Sequence, residues 1–361
     1  MQLKFLLSTL FIALGFSNAS YALSSEKNNE KLEATENSAT LLTAKNTTAE
    51  QQVAESVLKN ILLPQIENTL AAIKELQQDI QKTPQKSKLL HAYQRLIFSW
   101  KAVESSYILG DLDFQSIDLP RLIDNYHQGN EDLAKQLQRA LKSGDEPRIA
   151  LFKNSYRSIN ALDFILFAGE ENLTPVQQQY ALYILQNIKT KVLRMQKAYQ
   201  ANVVKLNKDQ DLAMSFVLNA LIDSSYKTKE WRVGEPAGLT RKYEGKPDYQ
   251  RQEFLYSRQS LTAVAAVLHN LEAFLGEQSF KNLASYSIQL QAGNSIQVLR
   301  KTIKQAQQEL ANLQAKPNAY KFKPSEIQPL YEQLSIITDL LYISLVKGLP
   351  VQAKILDADG D

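Results

Sequence analysis

The 361-residue sequence contains no cysteine. That absence excludes disulfides, thiolate nucleophiles, Cys-ligated zinc, iron–sulfur clusters and a lipid-bearing cysteine at a mature N-terminus. Histidine is nearly as scarce. His91, His127 and His269 are the only three, so a His-rich metal site cannot be built, and the sequence shows no haem ligation motif. There is no His-Glu-x-x-His for a zincin mechanism, and none of the three histidines lies in a nucleophile-elbow context. Gly234-Glu235-Pro236-Ala237-Gly238 lacks the lysine and the strand-to-helix setting of a phosphate loop. Charge of one sign is missing too. Lys plus Arg is 41 and Asp plus Glu is 38, a formal charge of +3, or +2 without Lys4. With no basic block, nucleic acid is excluded as a partner. After the first two dozen residues no stretch approaches eighteen apolar residues, so no transmembrane segment is expected once the leader is removed.

What is present begins with that leader. Lys4 precedes an apolar run from Phe5 to Phe16, and Ser17-Asn18-Ala19 and Ser20-Tyr21-Ala22 offer small residues for cleavage. Residues 1–22 are expected to be a signal peptide and residues 23–46 a flexible, polar tether. The mature chain is then exported, to the periplasm or in association with the outer membrane.

From residue 48 apolar residues recur at 3- and 4-residue steps, and no strand alternation interrupts them. Val53, Val57, Ile61, Ile66, Leu70, Ile73, Leu76 and Ile80 predict a long helix, kinked or divided at Pro64. A second helix is expected over 85–107, an irregular connection over 111–120, a short helix from Pro120 and another over 130–142. Ser143-Gly144-Asp145 reads as a turn. Thr174-Pro175 reads as a helix start. Further helices are expected over 209–230, 249–275, 295–313 and 325–347, with residues 232–247 as a loop. The fold class is all-α, two tandem helical bundles spanning 47–200 and 201–361, the second with a docked acidic tail. Asn160-Ala161-Leu162-Asp163 with Gly169-Glu170 echoes His269-Asn270-Leu271-Glu272 with Gly276-Glu277, which leaves internal duplication open.

The most informative stretch is 155–167, read as the C-terminal half of a helix starting at Glu146-Pro147. Asn160 and Asp163 are three apart and share a side with Arg157. A carboxylate, a carboxamide and a guanidinium on a mostly apolar helix need partners, because desolvating them unpaired costs several kcal/mol. They mark either a capped or salt-bridged helix end or a polar site where this helix meets the rest of the protein. His269-x-x-Glu272 could reach one cation, but such pairs are mostly solvated surface. Asp357-Ala358-Asp359-Gly360-Asp361 mimics the start of a calcium loop without room for the remaining ligands.

Four segments together resemble the imelysin family, exported helical proteins classed with the M75 peptidase-like group. They are Ser99-Trp100-Lys101-Ala102-Val103-Glu104; Arg157-Ser158-Ile159-Asn160-Ala161-Leu162-Asp163-Phe164-Ile165-Leu166-Phe167; Lys229-Glu230-Trp231-Arg232-Val233-Gly234-Glu235-Pro236-Ala237-Gly238; and Asp359-Gly360-Asp361. Their order and spacing cover nearly the whole mature chain. The resemblance implies two helical bundles with a site between them and a role in bacterial iron or other metal acquisition, with envelope metal-uptake proteins as partners. The family motif is Gly-x-His-x-x-Glu, and Ser158, Asn160 and Asp163 stand at its three specified positions. Asn160 and Asp163 are the candidate metal residues, and their oxygens suit a hard divalent or ferric ion better than Zn²⁺ or Fe²⁺. The candidate cleft residues are Glu104, Arg157, Asn160 and Asp163 from the first half, with Arg232, Glu253, Asp359 and Asp361 from the second. A non-enzymatic binder of a metal, metal complex or partner protein is the preferred reading. An M75-type metallopeptidase and a purely structural interaction module are the alternatives.

Overall fold

The computed structural model describes residues 53–129 and 131–351. The expected signal peptide and tether, and the acidic tail with Asp359 and Asp361, lie outside them. The architecture is all-α. Among the described residues no strand forms, and an isolated antiparallel bridge joins Gln85 to Asn172. No helix among them is long and apolar enough to cross a membrane.

A π-helical turn, Leu58–Leu62, leads into α1, Leu63–Lys82. Pro64 follows the π-helical turn inside a continuous helical run, where it has no N–H to give to the preceding turn. Helix α1 buries Ile66, Ile73, Leu76 and Ile80 against α2, Lys86–Ser105, whose Leu89, Tyr93, Leu96, Ile97 and Trp100 face inward. The connection after α2 is a series of single turns, Leu109–Leu112 and Phe114–Ser116, before α3, Leu119–Ile123. Helix α4, Leu133–Ser143, is capped by Asp132 and ends at the left-handed Gly144.

The helix expected from Glu146 through Phe167 is broken. A single turn, Pro147–Ala150, and a 3₁₀ turn, Ser155–Arg157, precede α5, Ile159–Phe167. Ser158 is extended and its Oγ accepts the Ala161 N–H at 3.1 Å, so the stretch read as a helix end is a helix beginning. Serine competes for backbone partners in this way, which makes it a better cap than interior residue. Helix α6, Pro175–Ala201, opens with the Thr174–Gln177 capping box and packs on α1 and α5.

Beyond a short helix, Val203–Lys208, α7 spans Gln210–Lys227 and runs directly into a π-helical turn, Thr228–Gly234, and a last helical turn, Glu235–Ala237. The loop expected from Arg232 therefore begins only at Gly238, whose φ of 67° ends the helix. Conversely, the helix expected from 249 begins only with α8, Ser260–Leu275. The N–H groups of Tyr256 and Ser257 point at Asp163 instead of up a helix. Helices α9, Leu283–Gln289, α10, Gly293–Gln314, and α11, Pro324–Asp339, complete the second half. Helix α8 lies against α10 on one side and α2 on the other, so α2 touches helices from both halves.

Candidate functional site

On α2, Ile97, Trp100, Lys101 and Glu104 follow the 3- and 4-residue steps of one face. That face is buried, and a lysine on it needs anions. Lys101 Nζ donates to Glu104 Oε2 at 2.7 Å, to Asp124 Oδ2 at 2.6 Å and to Glu253 Oε1. Arg232, on the π-helical turn, donates from Nε to Glu253 Oε2 at 2.9 Å and from Nη2 to Glu104 Oε2 at 2.8 Å. Its Nη1 reaches Thr228 Oγ1, one turn back, at 3.4 Å. Asp124 is further held by Trp100 Nε1 at 3.2 Å and by the Tyr126 N–H at 3.1 Å. Five ionic side chains, from α2, from the chain after α3, from the π-helical turn and from the turn before α8, thus meet in one cluster.

Burial and mutual charge set its protonation. Burial pulls the Lys101 ammonium down, but Asp124, Glu104 and Glu253 outweigh it and hold its pKa above the ordinary lysine value. The Arg232 guanidinium is held up in the same way by Glu253, Glu104 and Asp124. Burial works to raise Asp124, yet Lys101 keeps it below the usual carboxylate range. Glu253 goes the other way. Burial, with Asp124 and Glu104 nearby, raises it despite Arg232 and Lys101.

Three members of the cluster, Glu104, Asp124 and Arg232, line a cleft of about 220 Å³. Tyr107, Ile117, Arg121, Tyr126, Ser224 and Trp231 form other parts of its wall. Glu104 is the cluster's way out, its side chain 24% exposed against 5% for Arg232 and none for Lys101. One polar group of the wall, Ser224 Oγ, is buried without a hydrogen-bond partner, in a residue 6% exposed. The chain from Asp124 to His127 forms one rim. The Tyr126 hydroxyl lies 2.8 Å from the carbonyl oxygens of both Trp231 and Arg251, and the His127 ring stacks on Trp231 at 4.6 Å.

The candidate residues divide into three groups. Glu104, Arg232 and Glu253 meet in the cluster. Asp163 joins α5 to the second half elsewhere, its carboxylate accepting the Tyr256 and Ser257 N–H groups at 2.9 and 3.3 Å. Burial outweighs those bonds and raises its pKa to about 7. Asn160 Oδ1 accepts the Asn125 N–H at 2.9 Å, while its Nδ2 is buried without a partner. Arg157 belongs to neither group. It turns back on its own segment, donating to the carbonyls of Phe152 and Lys153 and to Asn154 Oδ1. The break before α5 leaves those carbonyls in need of donors. His269 and Glu272 also part company, His269 lying against Phe98 and Glu272 accepting from Gln307.

Sequence reasoning missed Lys101 and Asp124. The signal for Lys101 was a charge inside an apolar helical stripe. Asp124 sits in a non-repeating connection and gave none.

The model of the imelysin family, in the M75 peptidase class, matches residues 62–341. The chain belongs to the imelysin family. An imelysin-like protein from Psychrobacter arcticum 273-4 shares the fold with a TM-score of 0.68 at 18% identity, over 86% of this chain and 98% of that one. A protein described as a candidate iron-regulated protein A precursor, from Parabacteroides distasonis ATCC 8503, has a TM-score of 0.60 at 13% identity, over 82% and 94%. No curated protein matches. At these identities the two structures speak for the fold.

The residues at the imelysin motif positions of this chain do not suit a transition metal. Ser158 Oγ caps α5, and the oxygens of Asn160 and Asp163 accept from backbone amides on different segments. No imidazole or thiolate stands among them.

Proposed function

We propose that this imelysin-family protein acts in the bacterial envelope, after export, as a non-enzymatic binder in iron or other metal acquisition. Its ligand is a small charged molecule, such as a metal complex, received in the cleft in front of Glu104 and Arg232 and passed between envelope metal-uptake proteins. One observation carries this reading. A five-membered ionic cluster presents Glu104, Asp124 and Arg232 to an open cleft whose wall holds an unpartnered hydroxyl, Ser224 Oγ. Replacing buried ion pairs by apolar side chains is often neutral or stabilising, so packing alone gives little reason for such a cluster.

A complex fits better than a free ion. The three carboxylates already face two protein cations, which leaves the exposed part of Glu104, Ser224 Oγ and the wall guanidinium of Arg121 for a ligand with its own donors and acceptors. Calorimetry on the mature chain tests this, with Fe³⁺, Cu²⁺ and Zn²⁺ titrated alone and as citrate complexes. Binding of a complex that Ser224→Val or Arg121→Ala weakens at least tenfold supports the reading. No heat beyond dilution from any of the six titrants overturns it. Chelator-sensitive cleavage of an unstructured substrate, lost in Asp163→Ala, would establish the peptidase alternative instead.

A further inference from the structure

One carboxylate oxygen from each of Glu104, Asp124 and Glu253 lies within 4.8 Å of the other two. Acids converge in this way when they hold a cation. A cation is already seated there, and it is the protein's own. An ammonium has three N–H donors, and Lys101 Nζ gives one each to Glu104, Asp124 and Glu253. The lysine side chain is wholly buried, and the Phe254 ring, 5.6 Å from Nζ, lies along a further side. A hard divalent ion asks for six or more oxygens. Each of the three acids meets one ammonium N–H, and a divalent ion in place of Nζ would need second carboxylate oxygens or water to complete its shell.

We propose that Lys101 is the resident cation of a metal-type carboxylate triad, and the residue that bars free divalent ions from the cleft. Three acids with Lys101 and Arg232 carry a net charge of −1. A divalent ion entering beside both cations would meet their repulsion and find each acid already bonded. With Lys101 neutral the same acids and Arg232 would carry −2, the charge a divalent ion balances. The lysine thus decides that the cleft answers to ligands carrying their own charges and not to bare ions. The inference goes beyond the ligand reading and does not depend on it, since it concerns what the triad rejects.

The test compares the mature wild-type chain with Lys101→Met and with Lys101→Met/Asp124→Asn, using Mn²⁺ as the probe. Binding is read by the loss of the free-ion electron paramagnetic resonance signal and by thermal melting. The wild type should leave the Mn²⁺ spectrum unchanged. Lys101→Met should bind one Mn²⁺ per chain at least tenfold more tightly than the wild type and melt several degrees higher with it. The double variant should lose both effects. If Lys101→Met does not fold alone, refolding in Mn²⁺ should recover it. Wild-type Mn²⁺ binding that Asp124→Asn removes would overturn the proposal. So would a folded Lys101→Met chain that ignores Mn²⁺, or one that folds neither with the ion nor without it.

Discussion

Asp163 accepts the backbone N–H of Tyr256 at 2.9 Å, fastening α5 to the turn before α8 across 93 residues of chain. The carboxylate is buried, and the two amides it accepts from stabilise its charge only in part, so its pKa stands near 7 instead of 3.8. The folded protein therefore binds a proton here that the unfolded chain releases above about pH 4. A raised acid pKa contributes stability that is complete below the unfolded value and is lost as pH rises toward 7.

Urea unfolding of the wild type should show a loss on the order of 2–4 kcal/mol between pH 4 and pH 8 from this group. Glu253, also raised, works in the same direction, whereas Asp124, held low, works in the opposite one. Asp163→Asn should remove most of the decline. An unchanged pH profile in that variant would show that Asp163 is not the titrating group.

Arg232→Met should be among the most damaging single changes. It leaves Glu253 buried with Lys101 alone, and loss of one partner from a buried network costs about 3–5 kcal/mol. Arg232→Lys should recover only part, because one ammonium cannot reproduce the Nε and Nη2 contacts to two different acids. Chemical denaturation of the two variants beside the wild type measures both.

Ser158→Ala should cost about 1 kcal/mol, the usual loss of a helix cap, and Ser158→Gly only a few tenths. Glycine is also what the family motif places here. Melting curves that rank Ala below Gly would confirm that the hydroxyl serves α5, and a glycine variant as unstable as alanine would contradict it.

Gly234→Ala should fail for steric reasons. A Cβ there would stand 2.6 Å from Thr240 Cγ2, 2.8 Å from Tyr331 Cε2 and 2.9 Å from the Lys229 carbonyl oxygen. The π-helical turn must shift to admit it, and it would carry Arg232 along. Lower stability by about 1–3 kcal/mol is expected, together with weaker ligand binding. Thermal melting and the citrate-complex titration read the two effects.

Much of the fold was legible because helices announce themselves locally. The 3- and 4-residue apolar steps, Thr174-Pro175 and Gly144 are signals carried by neighbouring residues, and each marks the element it suggested. The errors arose where distant side chains decide the backbone. Asp163 takes the amides of Tyr256 and Ser257, so the helix read from 249 starts at Ser260. Ser158 takes the Ala161 amide, so one long helix becomes two short turns and α5. In the cluster, Glu104, Arg232 and Glu253 could be nominated as charges without obvious partners. Lys101, although it breaks an apolar stripe, is passed over because lysine is seldom wholly buried and is read as a solvated residue by default. Its partner Asp124 is 23 residues away in a segment with no period to read.

The π-helical turn Thr228–Gly234 sets the direction in which Arg232 points. Its i→i+5 bonding, seen in the Glu235 N–H to the Glu230 carbonyl, accommodates a residue that a regular helix would not. Deleting that residue would rotate everything after it by about 100°. A variant of this chain one residue shorter before Arg232 would swing that side chain away from Glu104 and Glu253 while keeping α7 and α8. A single-residue change in length at this turn would therefore alter which side chain faces Glu104 and Glu253 without disturbing the helices on either side.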